Sequence, residues 1–261
     1  ASVAIVDTST PRTVKPARAE PQWSAAIDTE LASLDQHHVY EAIPRNTVPA
    51  DKHVLTSKFV FKAKRDGDGN VTKCKARLVA RGFQQIPGVD FSDTFAPVVK
   101  MTTIRTLLSV AAARDLTVTQ LDIQTAFLYG DLDEPAYVVP PAGLSTTDNT
   151  VWRVTKSLYG LRQAPRAWYT KLNSVLQEMG FTPATADPCL YHRTTPSGTL
   201  YLSVYVDDLL IVGDSVEVRE TQRQLATRFN LTGGEEVNWL LGIQIMRQPA
   251  TRTFKLSQQQ L

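Results

Sequence analysis

Apolar positions recur with helical spacing over four stretches of the chain. Trp23, Ala26, Ile27, Leu31 and Leu34 fall at i, i+3, i+4, i+8 and i+11, which predicts an amphipathic helix of about three turns. Ile104, Leu107, Leu108 and Ala111 predict a second helix, started by Thr102 or Thr103. Trp168, Leu172, Val175, Leu176 and Met179 predict a third, stopped by Gly180. Asp214 and Glu217 have capping-box spacing and open a fourth toward Phe229, with Gly233-Gly234 ending it. Other stretches are strand-like. Lys58–Lys64 and Val71–Ala80 flank the turn residues Asp66-Gly-Asp-Gly-Asn70, which reads as a β-hairpin. Leu116–Ile123 reads as a strand, and Trp239–Met246 with Thr253–Ser257 as a last hairpin. Thr199–Val206 and Leu209–Val212 are apolar, β-branched runs separated only by Asp207-Asp208. Strands and helices alternate without a regular βαβ rhythm, which predicts an α+β fold. Residues 1–20 carry Pro11 and Pro16, show no helical period and read as a disordered arm ahead of a domain over 21–261.

Composition changes this picture little until the charge is divided. The 261 residues hold 28 Lys+Arg against 26 Asp+Glu, a formal charge of +2, with 43% apolar residues. That is ordinary for a globular chain with material for a sizeable core. No run approaches the roughly 18 apolar residues of a membrane span. Only Cys74 and Cys189 are present, which excludes a disulfide scaffold and a four-cysteine zinc site. No secretory signal opens the chain, and a start at Ala1 reads as that of a fragment. Near-neutrality hides a segregation, however. Residues 52–82 contain nine Lys and Arg against Asp66 and Asp68, a surplus of +7, so the remainder is acidic. The surplus falls on the hairpin, where it either solvates an edge or attracts phosphates.

The acids carry the candidate chemistry. Asp is a common turn residue, but two adjacent carboxylates repel unless a cation relieves them. In a two-residue turn Asp207-Asp208 project from the tip of an apolar hairpin. Asp122, at the end of a strand, either caps the next helix or faces that tip. Three carboxylates on neighbouring strand ends suit two Mg²⁺ ions and transfer of a nucleotidyl group.

Tyr205-Val206-Asp207-Asp208 resembles the catalytic box of reverse transcriptases. Lys75-Ala-Arg-Leu-Val-Ala-Arg-Gly-Phe-Gln84, Phe95-Ala-Pro-Val98, Gln120-Leu-Asp-Ile-Gln-Thr-Ala-Phe-Leu-Tyr-Gly130 and Ser157-Leu-Tyr-Gly-Leu-Arg-Gln-Ala-Pro-Arg-Ala-Trp168 occur in order with it. Together they resemble the Ty1/copia type of retrotransposon reverse transcriptase, from about Trp23 to the end of the chain. The resemblance implies a right-hand polymerase fold. Its fingers fall at about 21–100 and 143–184, its palm at about 101–142 and 185–235, and the palm end and thumb start at 236–261.

It also implies RNA-directed DNA polymerase activity with two Mg²⁺ ions, Mn²⁺ being the alternative. Asp122, Asp207 and Asp208 match the catalytic and metal-binding acids, with Asp207 as direct ligand and Asp208 in support. Ile123 offers its carbonyl to the metal. Lys75 and Arg77, two apart on one strand face, match the cations that hold the nucleotide triphosphate, and Arg81 continues that face. Phe127, five residues after Asp122, matches the ring that senses the sugar 2′-position. Tyr159 and Gly160 match the segment beside the nascent base pair. Gln163 and Arg166 shape a helix start and the template path, and Trp239 with Gly242 grips the primer end. The implied partners are an RNA template, a DNA or RNA primer, deoxynucleoside triphosphates, and RNase H and integrase regions of the same polyprotein, with no membrane. The implied setting is a cytoplasmic virus-like particle, with a nuclear stage later. The thumb, RNase H and integrase are read as lying outside this segment. The alternative is an inactive or domesticated fragment that only binds an RNA–DNA duplex.

Overall fold

The computed structural model describes residues 10–66, 68–144 and 149–258. In chain order the elements begin with α1 (Val14–Ala19), α2 (Pro21–Gln36), β1 (Tyr40–Pro44), β2 (Val54–Leu55), β3 (Ser57–Arg65) and β4 (Val71–Ala80). Then come α3 (Met101–Arg114), β5 (Thr117–Ile123), β6 (Asp131–Val138), β7 (Thr150–Lys156) and α4 (Ala164–Glu178). The chain continues with β8 (Thr182–Ala184), β9 (Asp187–Thr195), β10 (Gly198–Tyr205), β11 (Asp208–Gly213) and α5 (Ser215–Ala226). It closes with β12 (Leu231–Glu236), β13 (Trp239–Leu240), β14 (Ile243–Gln248) and β15 (Thr253–Ser257). This is the α+β mixture that the patterns predict. No helix among the described residues is long and apolar enough to cross a membrane.

Two units can be distinguished. The first comprises Ala1–Phe95 and Phe127–Lys171, and the second Ala96–Ala126 and Leu172–Leu261. In the first, β3 and β4 form an antiparallel hairpin with Phe61 opposite Ala76 and Lys62 opposite Lys75. A separate sheet runs β1-β7-β6-β2, with β2 parallel to β6. Helix α2 buries Trp23, Ile27 and Leu34 in a core shared with Phe59, Phe61, Ala76 and Leu78 of the hairpin. Trp23 meets Phe61 edge-on, with ring centres 5.6 Å apart. That aromatic pair adds about 0.5–1.5 kcal/mol to the burial of its area.

In the second unit an antiparallel sheet runs β12-β5-β11-β10-β9-β8. Its neighbouring strands β5 and β11 are rich in buried apolar side chains. Val118, Leu121 and Ile123 of β5 and Leu209–Val212 of β11 are all buried. Helix α3 turns Ile104, Leu107, Leu108 and Ala111 inward and packs on β5 and β11, and α5 packs on β11, β5 and β12. A smaller sheet, β13-β14-β15, packs through β15 on α3.

Four local expectations are corrected. Residues 14–19 of the supposed arm form α1, with Val14 and Ala17 buried against the first core; six residues are too few to show a period, and packing supplies the order. Residues 1–9 lie outside the described residues. Helix α3 begins after Lys100 rather than at Thr102 or Thr103, because the Thr103 hydroxyl is engaged by Asp187 instead (2.6 Å). Helix α5 is capped by Asp214, which accepts from the Val216 amide, yet it ends at Ala226. Gly233 and Gly234 lie in β12 at a register shift, where their freedom at positive φ serves a bulge.

Candidate active site

Pairing of β5 with β11 sets the positions of the acids. Asp208 stands directly opposite Asp122, and Leu209 opposite Leu121. Directly paired residues of antiparallel strands project to the same face, so two carboxylates are held side by side. The turn is displaced by one residue from expectation. Tyr205 pairs with Asp208, so the two turn residues are Val206 and Asp207, and Asp208 opens the strand. Its register with Asp122, rather than its place in the chain, draws it into the sheet. Val206 has φ +57, a left-handed value that costs a β-branched residue about 1–3 kcal/mol. Positive φ at the first turn residue belongs to a turn whose twist matches the flanking strands. The Asp207 carbonyl accepts from the Ile123 amide at 2.9 Å, tying the turn back to the end of β5.

Neutral side chains hold the acids. Gln120, two residues before Asp122 and diagonal to Asp208, donates its amide to Asp208 Oδ1 at 2.9 Å. The Gln124 amide donates to Asp122 Oδ2 and to the Thr232 hydroxyl, and that hydroxyl donates to the same Asp122 oxygen. Burial raises the Asp208 pKa above its ordinary value; the Gln120 amide opposes this and the Asp122 charge adds to it. Among the described residues, no three His, Cys, Asp or Glu side chains converge as a ready-made metal cage.

The first unit carries a cationic strand. Ala76, Leu78 and Ala80 of β4 point inward, leaving Lys73, Lys75 and Arg77 on the other face. Lys75 lies opposite Lys62 and Lys73 opposite Lys64, like charges that repel unless an anion sits between them. Burial lowers the Lys75 pKa, and Lys64, Arg77 and Lys73 lower it further. Arg77 is tethered. Its Nη1 donates to Glu30 Oε2 of α2 at 2.9 Å, while Glu30 Oε1 accepts from the Leu78 amide at 2.9 Å. The Glu30 side chain is 1% exposed. Burial raises its pKa, against the opposing pull of Arg77 and the Leu78 amide.

The Arg77 guanidinium also lies over the Tyr159 ring, 5.2 Å from its centre. Tyr159 in turn meets Phe127 edge-on, with centres 5.1 Å apart and planes at 78°. The Tyr159 carbonyl accepts from the Ala80 amide at 2.8 Å. The Phe127 carbonyl accepts from the buried Ser157 hydroxyl and from the Gly130 amide. Thus Arg77, Tyr159 and Phe127 form one contact chain. Gly160, at φ +88, makes this docking feasible: a Cβ there would lie 2.1 Å from the Ala80 carbonyl oxygen. A Cβ on Gly82 would lie 2.0 Å from the Gly160 carbonyl oxygen.

Arg81 departs from expectation. It lies past the end of β4 with ψ +71, so strand alternation does not carry it onto the Lys75–Arg77 face. Gln163 precedes α4, accepts from Gln85 at 2.9 Å and donates to the Asp90 carbonyl at 3.4 Å. Arg166 pairs with Asp93 at 2.7 Å. In the second unit Trp239 is 40% exposed and pairs with Gln244. Leu241 and Gly242, both at positive φ, form the two-residue turn between β13 and β14.

A family model for reverse transcriptase (RNA-dependent DNA polymerase) matches residues 39–261. The chain belongs to that family. It is 40% identical to the Retrovirus-related Pol polyprotein from transposon TNT 1-94 of Nicotiana tabacum, over 98% of this chain and 20% of that protein. It is 37% identical to the corresponding polyprotein from transposon RE1 of Arabidopsis thaliana, over 95% of this chain and 17% of that one. It is 32% identical to the Transposon Ty1-DR4 Gag-Pol polyprotein of Saccharomyces cerevisiae, over 76% and 12%. These relatives bear out the Ty1/copia resemblance. The chain spans about a fifth or less of the length of these curated relatives.

Reverse transcriptases generally use divalent metals, and the donor set here fits one chemically. Paired carboxylates supply hard oxygen ligands, and Mg²⁺ commonly takes one or two carboxylates together with water and substrate phosphates. A protein cage of three ligands is therefore not required before substrate arrives. Gln120 and Gln124 were legible, since both lie in the Gln120–Gly130 motif and Gln120 also shares the strand face of Asp122. Thr232 and Glu30 were not, because they arrive from sequence distances of 110 and 47 residues.

Proposed function

We propose that this chain is the RNA-directed DNA polymerase segment of a Ty1/copia-type retrotransposon polyprotein. It extends a primer 3′-hydroxyl with deoxynucleotides on an RNA template. The reading rests above all on the Asp122–Asp208 pair held at one end of β5 and β11, with Asp207 on the adjoining turn. Two apposed carboxylates in a polar, amide-lined setting are costly unless a cation or substrate shares the site. Asp122, Asp207 and Asp208, with the Ile123 carbonyl, would hold two divalent ions. When bound, these supply charge neutralisation at the leaving pyrophosphate and lower the pKa of the attacking hydroxyl.

The remaining roles belong to the chain itself. Gln120, Gln124 and Thr232 orient the acids before substrate arrives, so less reorganisation is needed at reaction. Lys75 and Arg77 bind the triphosphate, Lys as a point charge and Arg through its planar fork. Phe127 walls off the sugar 2′-position, which separates ribonucleotides from deoxynucleotides. Tyr159 and Gly160 support the nascent base pair. Gln163 and Arg166 shape the template path, Arg81 touches template or nucleotide, and Trp239 with Gly242 supports the primer end. The right-hand layout assigns fingers to about 21–100 and 143–184, palm to about 101–142 and 185–235, and the thumb approach to 236–261. RNase H and integrase activities belong to other regions of the polyprotein, and the setting is a cytoplasmic virus-like particle.

Primer extension on an RNA template with Mg²⁺ and deoxynucleotides tests the assignment. Asp207→Asn abolishes extension if the reading holds. Equal extension by the variant and the parent defeats it. Retained, salt-sensitive duplex binding without turnover in the parent would favour a binding role.

A further inference from the structure

Glu30 is a buried acid on a helix that no motif of the chain includes. Its two carboxylate oxygens are both used, one by the Arg77 guanidinium and one by the Leu78 amide. The second bond anchors the carboxylate to the backbone of β4, so the first has a fixed origin. A guanidinium on an exposed strand face would otherwise sample many rotamers. Held this way, it lies over Tyr159, and the Tyr159 ring abuts Phe127. The Phe127 backbone is pinned separately by Ser157 and Gly130, so the ring's remaining freedom is about its own side-chain bonds. The neighbour that limits this freedom within the contact chain is Tyr159, whose ring is limited by Arg77.

We infer that Glu30 is a positioning residue for sugar selection: through Arg77 and Tyr159 it holds the Phe127 ring where a ribose 2′-hydroxyl would collide. The inference rests on the reading of Phe127 as the sugar-sensing wall. Glu30 itself meets neither nucleotide nor metal. Two geometric conditions support the relay. Each contact is between planar groups, which transmit orientation as well as position. The chain also starts from a carboxylate almost wholly removed from solvent, with both oxygens bonded within the fold.

The test is competition between ribo- and deoxynucleotides in single-nucleotide primer extension, using the full polypeptide and comparing Glu30→Gln, Phe127→Ala and the parent. Glu30→Gln keeps the shape and removes the charge. It is expected to raise the ribonucleotide-to-deoxynucleotide ratio roughly three- to tenfold, the scale of one weakened cation–π or aromatic contact. Phe127→Ala is expected to raise it roughly tenfold or more. Glu30→Asp, which keeps the charge on a shorter stem, should recover part of the loss. A merely structural role would lower extension of both nucleotides alike and leave the ratio unmoved. A raised ratio in Phe127→Ala with an unchanged one in Glu30→Gln overturns the positioning role and leaves the wall intact. An unchanged ratio in both overturns the wall and the inference with it. Should Glu30→Gln extend primers too slowly, stabilisation of the primer–template complex by each triphosphate, read as a thermal midpoint, replaces the rate. Equal discrimination by variant and parent overturns the inference there too.

Discussion

Replacing Gly160 with Ala puts the close approach of two chain segments under direct test. At φ +88 an L side chain costs about 1–2 kcal/mol before any neighbour is considered. The added Cβ would fall 2.1 Å from the Ala80 carbonyl oxygen and 2.6 Å from Val79 Cγ1. The first of these is backbone, so the segments must separate. Overpacking of that kind adds about 1–3 kcal/mol. Separation also strains the Ala80–Tyr159 hydrogen bond of 2.8 Å, worth about 0.5–1.5 kcal/mol. The expected loss is about 2.5–6.5 kcal/mol, a large part of a stability of about 5–15 kcal/mol.

Gly88→Ala is the matched control. Gly88 has φ +78, but a Cβ there meets nothing within 4 Å, so only the conformational cost of about 1–2 kcal/mol applies. Urea unfolding, followed through the midpoint with the slope checked for constancy, measures both variants. Equal destabilisation of the two, within about 0.5 kcal/mol, would refute the close approach. Because Tyr159 adjoins the strained position, Gly160→Ala should also impair primer extension at temperatures where it is still folded.

Three further expectations can be checked with standard measurements. Glu30→Ala strands the Leu78 amide and leaves Arg77 without its acid; since Arg77 is 31% exposed and can regain water, the cost is about 2–4 kcal/mol rather than more, and a loss below about 1 kcal/mol in denaturant unfolding would contradict it. Burial pushes the Asp187 carboxyl up, but bonds from the Thr103 hydroxyl and the Lys100 and Cys189 amides bring it below its ordinary value. Its contribution is therefore complete above about pH 4 and fades as pH falls through the depressed value, so the stability gap between parent and Asp187→Asn should shrink in acid, and a pH-independent gap would be inconsistent with it. Lys75→Gln should raise the nucleotide KM about tenfold with kcat little changed, as loss of a ground-state phosphate contact; a fall in kcat at constant KM would assign Lys75 to another step.

Much of the fold could be read from periods along the chain. Helix α2 shows its buried stripe in five apolar positions, and the β3–β4 hairpin announces itself by two β-rich runs around a turn. Such elements depend on neighbours a few residues away, so their signals are local. The same holds for the identity of the acids and of the hairpin cations. Helix α1 carries no such signal, because its order comes from contact with α2 and the first core.

What only tertiary structure decided is which distant residues meet. The chain contains Asp122, Asp207 and Asp208, but the register of β5 against β11 selects Asp208 as the partner of Asp122 and leaves Asp207 on the turn. A slip of one residue would have turned the carboxylates to opposite faces, and the Gln120–Asp208 and Ile123–Asp207 hydrogen bonds hold the register that keeps them together. The Gly82–Gly160 approach and the Glu30–Arg77 bond likewise join segments that share no pattern. Local periodicity specifies which face a residue takes. Packing of apolar surfaces, a property of the whole chain, specifies what that face will touch.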